Sequence, residues 1–244
     1  WCDVEDAVKS IRSDDRDILV KFPGALGEVI RPLTSDDYIA FIGPPKRGKS
    51  FWLMELAVLG SLSRRNVLFI TLEMPQRQLK TRFFQRVTGQ LVTRYSEFEE
   101  LKDVDIPYFD TNFDITNKVF KRKEKKEQMS VKSVIRKMRS IQSLVKMDNL
   151  RIIEAPSNSM TEDILNAHLD NLEHFDDFVP DMIIVDYADI MAAKVRQDHR
   201  NSINEKWEAL RTVGQQRKCL MATVSHTNRA TLSRDCREDD VVED

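Results

Sequence analysis

The chain has 244 residues, enough for one large α/β domain with a sizeable core and too few for two ordinary domains plus linkers. Lysine and arginine number 38 against 40 aspartates and glutamates, so a net charge of −2 argues neither for nor against a nucleic-acid partner. The 3 cysteines, Cys2, Cys219 and Cys236, are odd in number and lack metal-ligand spacing, which argues against a disulfide scaffold or a zinc module and suits a reducing compartment.

No apolar run approaches the roughly 20 residues of a membrane span, and no secretion signal is visible. A start at Trp1 rather than Met leads us to expect a piece of a longer chain. In chain order, Val4, Ala7, Val8 and Ile11 fall at helical spacing, so residues 3–13 read as an amphipathic arm ahead of the main domain. It could dock on a neighbouring subunit or fold back on its own core. Phe22-Pro23-Gly24 marks a turn, and Gly27 to Pro32 leads into the next strand.

The apolar stretch Tyr38 to Ile42 reads as a buried strand, and Gly43-Pro44-Pro45-Lys46-Arg47-Gly48-Lys49-Ser50 fits the pattern G-x-x-x-x-G-K-[ST]. Phe51 to Leu59 is too long and too apolar for a loop and reads as a buried helix. The chemistry explains that spacing. A polyphosphate needs several converging backbone N–H groups, and a glycine loop running into a helix N-terminus supplies them together with the positive end of the helix dipole. Gly43, Lys46, Arg47, Gly48, Lys49, Ser50 and Phe51 are therefore the expected nucleotide contacts, with Lys49 against the β- and γ-phosphates and the Ser50 hydroxyl on Mg²⁺. The prolines occupy early loop positions, where they stiffen the loop without removing the later donors.

Val67 to Thr71 is a second buried strand and runs into Leu72-Glu73-Met74-Pro75. Glu73 then sits at the strand's carboxyl end, where ligands bind in open parallel sheets. It could activate the water that attacks a γ-phosphate, or cap the helix expected from Pro75 to Thr88. Pro107 to Asp110 and Asn112 to Asp114 suggest a loop or short hairpin. From Lys118 to Lys146 there are eleven basic residues against Glu124 and Glu127, around a helical stripe of Val131, Val134, Ile135, Met138, Ile141 and Val145 with Ser130 as N-cap. The basic face, including Arg122, Lys125 and Arg136, is either a contact for nucleic-acid phosphate or a solvated surface.

Leu150 to Ala155 reads as a third strand, and Ser159 with Glu162 has capping-box spacing for a helix carrying Ile164, Leu165, Leu169 and Leu172. Met182-Ile183-Ile184-Val185-Asp186 is an apolar run ending in an aspartate suited to the Mg²⁺ shell. A polar loop from Lys194 to Asn204 precedes a helix with Ile203, Trp207, Leu210 and Val213 on its inner face. Cys219 to Val224 is the fifth strand, ending at Ser225-His226-Thr227-Asn228-Arg229. His226 could sense the γ-phosphate or be an ordinary surface imidazole, and the charged tail from Arg234 reads as frayed.

Taken together, Gly43 to Ser50, Phe69-Ile70-Thr71-Leu72-Glu73-Met74 with Gln78, Leu79 and Arg82, Ile184-Val185-Asp186-Tyr187 with Ile190 and Met191, and Val224 to Arg229 resemble the ATPase domain of DnaB-type replicative hexameric helicases, in a divergent, phage-like version. The resemblance covers residues 20–232. It implies a RecA-like P-loop NTPase fold with a central, mostly parallel sheet flanked by helices. Residues 1–19 would be a linker or arm, and 20–244 the ATPase domain, with a basic insertion at about 95–149. Glu73 becomes the general base, Asp186 the second nucleotide motif, His226 a γ-phosphate sensor where the family usually has glutamine, and Asn228 and Arg229 the start of a DNA-channel loop.

The cofactors implied are ATP and Mg²⁺. The implied partners are single-stranded DNA, a homo-hexamer and a helicase loader or primase, in a bacterial or phage-infected cytoplasm with no membrane contact. The basic segment is longer than the family pattern, and the family's later strands and arginine finger are expected beyond Asp244. Two other readings of the same residues stay open: a recombinase or clock-type ATPase without unwinding, and a nucleotide-gated loading or scaffold module.

Overall fold

The computed structural model describes residues 18–90, 103–109, 115–121, 129–141, 149–192 and 199–226. The arm helix expected at 3–13 lies outside them. The chain divides into two compact units, Trp1–Lys80 with Gln142–Asp244, and Thr81–Ile141.

The first unit is built on strands β3 (Tyr38–Gly43), β4 (Val67–Thr71), β7 (Leu150–Glu154), β8 (Met182–Asp186) and β9 (Leu220–His226), in the order β3-β9-β8-β4-β7. All four pairings are parallel, so the expected mostly parallel sheet is wholly parallel among the described strands. Such a sheet must be covered on both faces, and its side chains divide accordingly. Val67, Phe69, Met182, Ile184, Leu220, Ala222 and Val224 join one core layer. Leu68, Ile70, Ile183, Val185, Cys219 and Met221 join the other. Every residue of β4 and β8 is buried, whereas β3 and β7, at the sheet edges, are mostly half-buried.

Helix α2 (Lys49–Leu62) covers the first face. It packs closely because residue 60 is glycine: a Cβ there would stand 2.6 Å from the Met182 sulfur and 2.9 Å from Val67 Cγ2. Residues 18–34 are more than a lead-in to β3. They form β1 (Ile18–Val20) and β2 (Leu33–Thr34), an antiparallel pair around the one-turn helix α1 (Leu26–Val29), and add Leu19, Val20, Phe22 and Leu33 to the same core layer.

Helices α5 (Glu162–Asp176) and α6 (His199–Arg217) cover the other face through Leu165, Leu169, Leu210 and Val213. Helix α6 begins at His199, inside the stretch expected to be a loop from Lys194 to Asn204. Cys219 behaves as a small apolar residue: it is buried, and burial pushes its thiol up to about 12. Among the described residues no helix is long and apolar enough to cross a membrane.

In the second unit, of the loop and the short hairpin that the sequence left open, the strands are those of a hairpin, β5 (Asp103–Phe109) paired antiparallel with β6 (Ile115–Lys121). Helix α4 (Val131–Ile141) follows, capped as expected by Ser130, whose hydroxyl accepts from the Ser133 N–H at 3.2 Å. Helix α3 (Gln76–Thr88) spans the boundary between the units, and in the second unit Lys137 Nζ on α4 donates to the carbonyl of Thr88 at its end at 3.0 Å.

The cap of α5 differs from the capping box expected at Ser159. Thr161 is the N-cap, its hydroxyl accepting from the Ile164 N–H at 3.2 Å. The Ser159 hydroxyl is committed elsewhere, donating to the Pro156 carbonyl at 2.6 Å within the preceding turn. Thr161→Ala should therefore destabilise the fold by about 1 kcal/mol in urea titration, while Ser159→Ala should change it by less than about 0.5 kcal/mol.

Candidate functional site

The parallel sheet sends the ends of β3, β4, β8 and β9 to one rim. At that rim the loop after β3 turns twice through left-handed backbone, at Lys46 (φ 62°) and at Gly48 (φ 81°). Gly48 is the N-cap of α2, and its αL conformation at no steric cost is the reason glycine stands there. Lys49 and Ser50 open the helix, at the end where backbone N–H groups precede the helical ladder and can turn to an anion. Lys46, Arg47 and Phe51 are exposed around this turn, and Trp52 stacks on Phe41 with ring centroids 5.8 Å apart.

Lys49 is buried, and its ammonium donates to the carbonyls of Gly43 and Pro44, each at 2.8 Å. A third contact, at 3.1 Å, is to His226 Nδ1. That contact follows from strand register, since Gly43 and His226 are partners at the paired tips of β3 and β9. Burial lowers the Lys49 pKa, and the charges of Asp186, Glu73 and Asp189 oppose that shift. The lysine thus feels three carboxylates from two different strand ends.

Asp186, at the tip of β8, is only 1% exposed, and its Oδ1 accepts from the Ser50 hydroxyl at 3.2 Å. The Asp186–Tyr187 peptide is cis. The Tyr187 ring meets His226 edge-on at 4.9 Å, and its phenol pKa is raised by burial and then by Glu73, Asp189 and Asp186. Glu73 is exposed, two residues past β4 and on the rim shared with Asp186, because Thr71 and Asp186 are register partners.

At the start of the next helix, the carboxylate that accepts from the first backbone N–H is not Glu73. The N–H of Gln76, first in α3, donates to Glu154 Oε2 at 2.7 Å, and Gln76 Nε2 donates to the Ile152 carbonyl at 2.8 Å. A carboxylate at the end of β7 therefore caps α3.

Ser50 and Asp186 together are a hard-oxygen pair in a buried setting, the donor chemistry Mg²⁺ takes, and that ion needs few protein ligands when substrate phosphates complete its shell. No cluster of three or more His, Cys, Asp or Glu side chains suited to a metal ion occurs among the described residues. The pair therefore fits a phosphate-bound Mg²⁺ rather than an all-protein metal cage.

Several residues of the site carry no motif signal. Asp189 accepts from Trp207 Nε1 at 2.9 Å and from the Ser225 hydroxyl at 2.8 Å, while its carbonyl accepts from Lys206 Nζ at 2.8 Å. It ties the turn after β8 to the tip of β9 and to α6. Its only sequence signal is its position three residues after Asp186. Arg136 lies exposed on α4, in the other compact unit. Arg122, Lys125, Asn228 and Arg229 lie outside the described residues.

With this geometry in view, two solved structures share the fold. A DnaB-like replicative helicase, solved together with its interactions with primase, superposes with a TM-score of 0.66 at 13% identity, over 96% of this chain and 50% of that one. A second protein, solved as its ATPase domain, superposes with a TM-score of 0.65 at 13% identity, over 96% of this chain and 75% of that one. The α/β architecture, a parallel sheet covered by helices on both faces, is thus one these two structures share. The chain spans half the length of the first neighbour. No protein-family model matches the sequence, and no curated protein matches it either.

Proposed function

We propose that this chain is the ATPase core of a replicative, ring-forming DNA helicase that couples ATP hydrolysis to movement along single-stranded DNA. One observation carries the reading: Lys49, Ser50, Asp186 and His226 meet at one sheet rim, and the charge of Glu73 acts on Lys49 there. These residues come from four strand ends that are distant in sequence, and chance has no reason to assemble them around a glycine loop. The fold shared with DnaB-like helicase ATPase domains supports the same reading.

In this reading the N–H groups of the loop and of the start of α2 take the phosphates, and the Lys49 ammonium exchanges its carbonyl partners for phosphate oxygens. Mg²⁺ held at Ser50 and, through water, at Asp186 would offset charge on the phosphates. Glu73, exposed at the rim, takes the proton of the attacking water. His226 lies beside Lys49 and responds to what occupies the lysine, and the chain then runs directly into Thr227, Asn228 and Arg229, the segment we assign to DNA.

The second unit adds a further DNA-facing surface. Thr81–Ile141 holds fourteen basic against nine acidic residues, which leaves the rest of the chain net negative. On α4 the exposed side includes Lys132, Arg136 and Arg139, at the spacing of a single helix face. We assign a homo-hexamer, a loader or primase partner and a cytoplasmic setting on the same analogy.

Glu73→Gln should lower ATP turnover by about 10²-fold or more while leaving binding of a fluorescent ATP analogue within about threefold. Lys49→Ala should lose both. Wild-type turnover by Glu73→Gln in single-turnover assays would remove that residue from its role. Reversing charge at Lys132, Arg136 and Arg139 together should weaken single-stranded DNA binding and flatten its dependence on salt by about two units of slope, as read by fluorescence anisotropy.

A further inference from the structure

The central strands of the sheet are largely apolar, yet two threonines near this rim, Thr71 on β4 and Thr223 on β9, are fully buried, each 0% exposed. A valine would fit a buried strand as well and would bring no hydroxyl to satisfy. Where each hydroxyl spends its hydrogen bonds therefore bears on why it is there.

Thr71 is the last residue of β4. Its Oγ1 donates to the Met74 carbonyl at 2.7 Å and accepts from the Met74 N–H at 3.1 Å, closing a turn around Leu72 and Glu73. Leu72 is held in turn. Its N–H donates to the Asp186 carbonyl at 2.9 Å, its carbonyl accepts from the Ser157 hydroxyl at 3.0 Å, and its side chain is buried. The backbone on both sides of Glu73 is thus fixed while its side chain stays exposed.

Thr223 does the same for the other carboxylate. Its Oγ1 donates to the Val185 carbonyl at 2.9 Å and accepts from the Ala188 N–H at 3.0 Å. The two residues between those grips are Asp186 and Tyr187.

We propose that Thr71 and Thr223 are a matched pair of positioning residues, each closing with its hydroxyl the backbone turn that carries one carboxylate: Thr71 sets Glu73 for water activation, and Thr223 sets Asp186 for the Mg²⁺-bound nucleotide. The inference rests on the ATPase reading above. Neither threonine touches substrate, and each acts through the turn it closes. Because the two carboxylates have different tasks, the two hydroxyls have separable effects, which a general packing role would not produce.

The test uses Thr71→Val, Thr71→Ser, Thr223→Val and Thr223→Ser in the full chain. The readouts are steady-state ATP turnover, Mg²⁺-dependent binding of a fluorescent ATP analogue with an EDTA control, and thermal melting. Thr71→Val should lower kcat by about tenfold with KM for ATP within about twofold, and Thr71→Ser should restore it. In a Glu73→Gln background, Thr71→Val should cost nothing more. Thr223→Val should raise the Mg²⁺ concentration for half-maximal analogue binding by about fivefold, leave binding in EDTA unchanged, and be rescued by Thr223→Ser.

Wild-type kcat in Thr71→Val beside an inactive Glu73→Gln would overturn the positioning role and leave the ATPase reading standing. Wild-type turnover in Glu73→Gln would remove the glutamate from its role and Thr71 from the pair, whereas a wild-type chain that neither bound nor hydrolysed ATP would overturn the ATPase reading itself. If each valine variant lowered turnover, binding and melting temperature together, with no rescue by serine, the hydroxyls would be structural and the proposal would fail. An unchanged Mg²⁺ requirement in Thr223→Val would remove that residue from the pair.

Discussion

A five-stranded parallel sheet covered on both faces leaves polar side chains of its central strands little room except at the rim where the strands end. That constraint organises this molecule. Along β4 and β8 nearly every side chain is in one or other apolar layer, and the groups capable of chemistry begin where the strands stop. Thr71 and Asp186 are register partners, and so are Gly43 and His226, so the ends of adjacent strands stand level and their side chains reach one another. Parallel pairing brings together residues that lie more than a hundred positions apart in the chain, as in the Ser50 to Asp186 bond.

The cost of that arrangement is concentrated at Lys49. A cation withdrawn from water is disfavoured, and burial lowers its pKa accordingly. Two carbonyls and an imidazole face it directly, and three carboxylates acting from further away oppose that shift. In the proposed reading phosphate oxygens take over from the carbonyls, in a setting where water competes weakly. In that reading Asp186 and Glu73 serve a second end as well, the one toward a metal and the other toward a water.

The rim is also stiff. Asp189 bonds Trp207 and Ser225, Glu154 caps α3, and the hydroxyls of Thr71 and Thr223 close the turns after β4 and β8. These supports come from neighbouring strands and helices as well as from the strand ends themselves. A side chain at the rim thus has its backbone fixed by the same sheet that places it.

Much of this was legible from the chain alone. The glycine loop, the five core strands, the buried helix after the loop and the basic stripe of α4 follow from local patterns, because glycine spacing and hydrophobic periodicity are properties of contiguous residues. Local reading also named Lys49, Ser50, Glu73, Asp186 and His226, since each sits at or just past the end of an apolar run. It misplaced the cap of α5 at Ser159, because a serine's hydroxyl has several nearby backbone groups to choose from and spacing does not say which it takes. It left Glu73 between two roles, and only the placement of β7 beside β4, bringing Glu154 to the start of α3, showed which residue caps that helix. Strand order, the pairing of Gly43 with His226, and the grips of Thr71 and Thr223 were beyond the sequence for the same reason: each depends on which strands lie side by side, and that is decided by burial of the whole sheet rather than by any one segment of it.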